Sequence, residues 1–141
     1  MFDKHMICEE DFVNVFEGKK AIGFSFLARL PYYRGLGLSM VEDVGVTIDG
    51  QVIPRKDIRL TFRGLTWTLD EMETEYSNRW NFGEKAKVTA LLPGGLAVGP
   101  HEIELSERLR ISYLPFIPTT KAKKTVQLQA GPLQAGSSSP A

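Results

Sequence analysis

The chain has 141 residues, 43% of them hydrophobic and 24% charged, a balance that suits one globular domain with a single core rather than a disordered polymer. Lys plus Arg and Asp plus Glu number 17 each, so the net charge is zero; this argues against a broad phosphate-binding surface, and so against nucleic acid as a partner. The single cysteine, Cys8, rules out an intrachain disulfide, and no apolar run approaches the length of a membrane span.

The first twelve residues, MFDKHMICEEDF, carry acidic side chains where a secretory leader needs an unbroken apolar stretch, so a cytoplasmic location is expected, with His5 in a mobile terminus. Period-2 patterning then dominates. In 21–30, Ile22, Phe24, Phe26, Ala28 and Leu30 share one face of a predicted strand. The run Leu30-Pro-Tyr-Tyr-Arg-Gly-Leu-Gly-Leu38 follows as a loop shaped by Pro31 and its glycines. Between residues 38 and 48, the alternating register is Leu38, Met40, Glu42, Val44, Val46 and Ile48. Asp49-Gly50 predicts a type I′ hairpin turn, because both residues tolerate positive φ. Ile58, Leu60 and Phe62 form another alternating run, Arg63-Gly64 a second turn, and Leu65, Trp67 and Leu69 the returning strand.

Only one stretch reads as helical: Asp70 to Glu73 has the spacing of an N-cap and capping-box turn, with continuation through Tyr76. A polar and aromatic cluster, Tyr76-Ser-Asn-Arg-Trp-Asn-Phe-Gly83, comes next. Val88, Ala90 and Leu92 predict a strand, His101 to Tyr113 a long one, and Val126 with Leu128 a last. Many short strands punctuated by Gly and Pro imply an all-β fold: an antiparallel β-sandwich, immunoglobulin-like or jelly-roll-like, with one short helix. Residues 1–128 are assigned to the sandwich and 129–141, rich in Ala, Gly, Ser and Pro, to a flexible tail.

No catalytic constellation emerges from these residues. His5 and His101 are the only histidines, too few for a zinc or catalytic site without convergent ligands, and Cys8 has no basic setting to activate it. Gly35-Leu-Gly37 and Pro93-Gly-Gly95 lack the strand-before, helix-after context of a phosphate cradle and read as turns. Two carboxylates are out of place: Glu42 in the register above, and Glu107 in Ile103, Leu105, Glu107, Leu109, Ile111. Two readings are open. A β-bulge turns the Glu outward or a face of the long strand leaves the sandwich, which routine bulges and bent strands favour; or these positions face a partner or pocket, paired with Arg, where two carboxylates lying near each other would serve acid–base chemistry. Tyr32, Tyr33 and Arg34 in the loop, and Arg79 and Trp80 in the later cluster, are the candidate contact residues, since Tyr, Trp and Arg anchor interfaces. The aromatic pair equally suits stacking on a sugar or flavonoid ring, or folding one tyrosine back onto the core.

The ordered series Phe24-Ser-Phe26, Arg29-Leu-Pro-Tyr-Tyr-Arg-Gly35, Leu38-Ser-Met40, Glu42-Asp43, Asp49-Gly50 and Pro54 resembles the small β subunit of bacterial C-glycoside deglycosidases. Arg79-Trp-Asn-Phe-Gly83, Pro93-Gly-Gly-Leu96, Gly99-Pro-His101 and Leu109-Arg-Ile-Ser-Tyr113 continue the likeness, which spans roughly residues 10–128. The resemblance implies a hetero-oligomeric carbon–carbon lyase. Its catalytic α subunit is a barrel similar to sugar-phosphate isomerases, holds a divalent metal such as manganese and supplies the acid–base residues. The substrate is a C-glycosylated aromatic compound, such as a flavonoid, oxidised beforehand to a 3-keto sugar; the ketone acidifies the neighbouring C–H and permits elimination to the aglycone. The β chain, with no cofactor or metal of its own, docks on the α subunit, stabilises it and shapes the substrate entrance. A free-standing carbohydrate-binding sandwich, with Tyr32, Tyr33 and Trp80 as its stacking platform, is the alternative.

Overall fold

The computed structural model describes residues 6–30, 36–81, 84–110, 115, 117 and 119–129. Their strands build two facing antiparallel sheets and a two-stranded ribbon, the sandwich expected from the alternation. One sheet runs β1 (Val13–Glu17), β2 (Lys20–Ala28), β9 (Ala86–Leu91), β6 (Ile58–Phe62), β7 (Leu65–Thr68); the other runs β11 (Thr119–Leu128), β10 (Gly99–Leu109), β4 (Val41–Ile48), β5 (Gln51–Ile53). The ribbon pairs β3 (Leu36–Gly37) with β8 (Arg79–Trp80).

The inward rows close on one core. Phe24, Phe26 and Ala28 of β2, Ala86, Val88 and Ala90 of β9, and Ile58, Leu60 and Phe62 of β6 are all buried. Opposite them lie Val44, Val46 and Ile48 of β4 with Ile103 and Leu105 of β10. Burying a side chain of this size contributes about 1.5–3 kcal/mol, so these rows hold the sheets together. Both predicted hairpin turns form with positive φ at each central residue: 49° and 84° at Asp49-Gly50, and 49° and 84° at Arg63-Gly64.

The structure departs from the expectations, or extends them, in four places. The N-terminal segment is part of the core: Met6 and Phe12 are fully buried, Cys8 donates its backbone N–H to the Leu27 carbonyl, and Phe12 packs edge-on against Phe24. His5 itself lies outside the described residues. The helix α1 spans only Leu69–Met72, and its capping box is Thr68 with Glu71 rather than Asp70 with Glu73, because β7 remains extended through Thr68. The long strand ends at Leu109; Ile111 to Tyr113 lie outside the described residues. Finally, β11 begins at Thr119, well before Val126, in a stretch where Lys121, Lys123 and Lys124 obscure the alternation. The Gln129 N–H bonds the Phe12 carbonyl and ties the end of β11 to the edge of β1. Among the described residues no helix is long and apolar enough to cross a membrane.

Candidate functional site

Chain connectivity sets the place of the site. β2 leads through residues 29–35 into β3, and β3 and a short 3-10 turn (Leu38–Met40) lead into β4. β8 leads into β9. The ribbon registers Leu36 opposite Trp80 and Gly37 opposite Arg79, so the two regions singled out in the sequence are joined by main-chain pairing. Met40 accepts the Arg110 N–H, which brings the end of β10 to the same end of the sandwich. Tyr32, Tyr33 and Arg34 lie outside the described residues; Leu36, two positions after Arg34, is the nearest described position on that side.

Arg79 and Trp80, adjacent in β8, face opposite ways. Arg79 is exposed, while its carbonyl accepts a hydrogen bond from Arg63 Nη2 at 3.1 Å. Trp80 is fully buried, which corrects its assignment as a contact residue. Its ring packs edge-on against Phe62 with centroids 5.3 Å apart, and its indole N–H donates to the Glu84 carbonyl at 2.8 Å. A tryptophan whose only polar atom is already bonded has every reason to be buried. Glu84 organises the segment: its carboxylate pairs with Arg63 and accepts from the Asn81 N–H at 3.1 Å.

The two out-of-register glutamates part company. The β4–β10 pairing shifts between Arg108, opposite Asp43, and Leu109, opposite Val41, so Glu42 is the extra residue of a β-bulge. Turned sideways, it meets Arg110 Nη2 at 2.5 Å. The bulge reading holds there and fails at Glu107, which stays inward between Leu105 and Leu109 at 0% exposure. Desolvation pushes its carboxyl well above the ordinary carboxylate range.

His101 and Cys8 serve the fold. His101 engages both ring nitrogens, and burial raises the Cys8 thiol pKa against the opposing pull of Arg29, keeping it an unreactive thiol. Among the described residues no three His, Cys, Asp or Glu side chains converge as a metal site, so the donor set of a divalent cation is not met by them. A groove of about 320 Å³ opens on the outer face of the four-stranded sheet, lined by Asp43, Gly45, Val52, Arg55, Ser106 and Lys121; no sequence signal marked it, and within it the Ser106 hydroxyl occupies the space that a Cβ at Gly45 would need.

Comparison with known proteins bears directly on this arrangement. Residues 2–113 match the family described as C-glycoside deglycosidase beta subunit. A C-glycoside deglycosidase beta subunit of Eubacterium cellulosolvens is 34% identical over 82% of this chain and 79% of its own length. A 3'-dehydrocarminate deglycosidase beta subunit of a Microbacterium species is 36% identical over 66% of this chain and 70% of its own. A C-glycoside deglycosidase beta subunit of Arthrobacter globiformis is 31% identical over 68% and 74%.

Proposed function

The chain belongs to the C-glycoside deglycosidase beta subunit family, and from that premise we propose that it is the accessory subunit of a carbon–carbon lyase, docked on a catalytic α subunit. The family match over residues 2–113 carries the reading. The partner is a barrel of the sugar-isomerase type that holds the divalent metal and the acid–base groups. The complex cleaves the bond between a 3-keto sugar and an aromatic, flavonoid-type aglycone. The name of the Microbacterium relative, which specifies a 3'-dehydro compound, supports an oxidised sugar as substrate. The reaction runs in the cytoplasm.

Within the complex this chain contributes shape and stability. Three of its titratable groups are committed to structural partners: His101 to Asp49 and Ala97, Glu84 to Arg63, Glu42 to Arg110. The end of the sandwich where β3 meets β8 offers exposed Arg79 beside the residues that follow Tyr32, Tyr33 and Arg34, and that end faces the partner and its substrate entrance. The carbohydrate-binding alternative loses one of its three rings, because Trp80 is buried.

Co-expression with a barrel-type α subunit tests the proposal. A co-purifying complex that cleaves a 3-keto C-glycoside, with neither activity nor glycan binding by this chain alone, is the expected result. Arg79→Glu is expected to weaken the complex while leaving the fold of the free chain intact. A chain that ignores every such α subunit, or that cleaves the substrate by itself, refutes it.

A further inference from the structure

The Glu107 carboxyl group takes no part in the hydrogen bonds and ion pairs that tie the sandwich together. Glu107 sits in β10 directly opposite Val44 of β4 and Thr120 of β11, and neither of its carboxyl oxygens has a hydrogen-bond partner. An ionised carboxylate in that setting is strongly disfavoured, and such groups neutralise rather than stay charged.

Among the described residues the surroundings supply no counter-charge. On β10 itself, Glu104 and Arg108 project to the other face, as strand alternation requires. On β4 the inward neighbours Val41, Val44 and Val46 are apolar, and Glu42 is carried aside by the bulge and held by Arg110. On β11 the inward row from Thr120 is Ala122 and then Lys124, whose ammonium is drawn away to the Ile7 carbonyl at 3.3 Å and to Glu9 at 3.7 Å. The inward rows of β2, β6 and β9 contain no ionisable side chain. The buried titratable group of the N-terminal segment is Cys8, a neutral thiol.

We propose that Glu107 is a proton-binding site built into the core, carried as a neutral carboxylic acid in the folded chain, so that folding near neutral pH takes up one proton from solvent. The balance is simple: the unfolded carboxylate plus one solvent proton gives the buried acid. Stability from this site is complete below the unfolded carboxyl value and declines as pH rises from there through the raised folded value. The antiparallel pair β10 and β11 is thereby a pH-sensitive element.

Two measurements on the full chain decide it. Infrared difference spectra between the wild type and Glu107→Gln at about pH 6, roughly two units above a free Glu, are expected to show a protonated-carboxyl carbonyl band that the variant lacks. Urea midpoints across about pH 5 to 8, the span in which a raised carboxyl acts, are expected to fall more steeply for the wild type than for Glu107→Gln. His101 adds the same slope to both proteins, so the difference belongs to Glu107. Glu107→Met, of similar volume, provides the same comparison if the Gln variant does not fold. Absence of the acid band, or parallel midpoint curves for wild type and variant, overturns the proposal.

Discussion

The imidazole of His101 lies 2.5 Å from Asp49 Oδ2 through Nδ1 and 2.7 Å from the Ala97 carbonyl through Nε2. Both partners are acceptors, and only an imidazolium donates from both nitrogens. Burial by itself lowers the His101 pKa, but the hydrogen bonds to Asp49 and Ala97 and the Asp49 charge outweigh it and leave it raised. Asp49 is held below the ordinary carboxylate range, first by His101 and then by the Glu102 N–H. One side chain thus fastens the β4–β5 turn, the start of β10 and the segment before it, with its ring edge-on to Phe12.

The pH dependence of this latch follows from those directions. The His101 contribution is complete below about pH 6.5, the unfolded histidine value, and fades as pH rises through the raised folded value. The Asp49 contribution is present above about pH 3.9 and is lost as pH falls. His101→Gln is expected to cost about 1–2 kcal/mol below neutral pH and less above pH ~8, on the scale of charge-assisted hydrogen bonds. An NMR titration locating the His101 midpoint at or below the ordinary value sinks this account.

Arg55 gathers three carboxylates, one from β4 and two from α1 and its C-cap. It meets Asp43 at 2.5 Å, Asp70 at 3.4 Å and Glu73 at 3.6 Å, and it also donates to the Glu42 carbonyl at 3.3 Å. The partners are largely solvent-exposed, so screening keeps each pair weak. Arg55→Met is expected to cost about 1 kcal/mol at low salt, mainly through repulsion among the acids it leaves behind, with the loss shrinking as salt is added. Thermal unfolding at two ionic strengths checks the prediction; a salt-independent loss points to packing instead.

Asn14 shows how a polar residue is used within an apolar row. At 6% exposure, its amide donates to the Leu96 carbonyl at 2.7 Å and accepts the Leu96 N–H at 2.8 Å, pinning the β9–β10 connection onto β1. Asn14→Ala leaves both main-chain groups without partners and is expected to cost about 1–3 kcal/mol. Asn14→Asp, which keeps the acceptor and loses the donor, costs a comparable amount above the carboxyl pKa. Urea unfolding of the two variants provides the test, and an Asn14→Ala midpoint equal to the wild type discards it.

The same residue explains why part of the fold was hidden in the sequence. β2, β6, β7 and β9 declare themselves because their apolar residues alternate without a break, and each type I′ turn carries a Gly at its second positive-φ position, with Asp49 suited to the first in one turn and Arg63 accepting it in the other. β1 does not, because Asn14 takes an inward position and the β1–β2 register shifts between Val15 and Phe16. A two-residue ribbon such as β3–β8 has no period to detect, so the joining of the two aromatic regions could not be foreseen. The pattern marked Glu42 and Glu107 as equally anomalous. Only the pairing with β10, which inserts a bulge at Glu42 and none at Glu107, separates a surface ion pair from a buried acid.

Trp80 separates a structural tryptophan from a recognition one. Its ring fills the space against Phe62, and its N–H satisfies the Glu84 carbonyl, so its removal acts on the fold before it acts on any partner. Trp80→Ala is expected to cost about 3–5 kcal/mol, the scale of emptying a large core site. Trp80→Phe keeps most of the packing, forfeits the hydrogen bond and is expected to cost roughly 1–3 kcal/mol. If the ring touched a partner or a sugar, Trp80→Phe would weaken binding while leaving the unfolding midpoint unchanged. The structure calls for the reverse: a lowered midpoint, with the affinity of the surviving folded chain for its α subunit unaltered. Denaturation curves set beside a pull-down titration of the same variant distinguish the two outcomes.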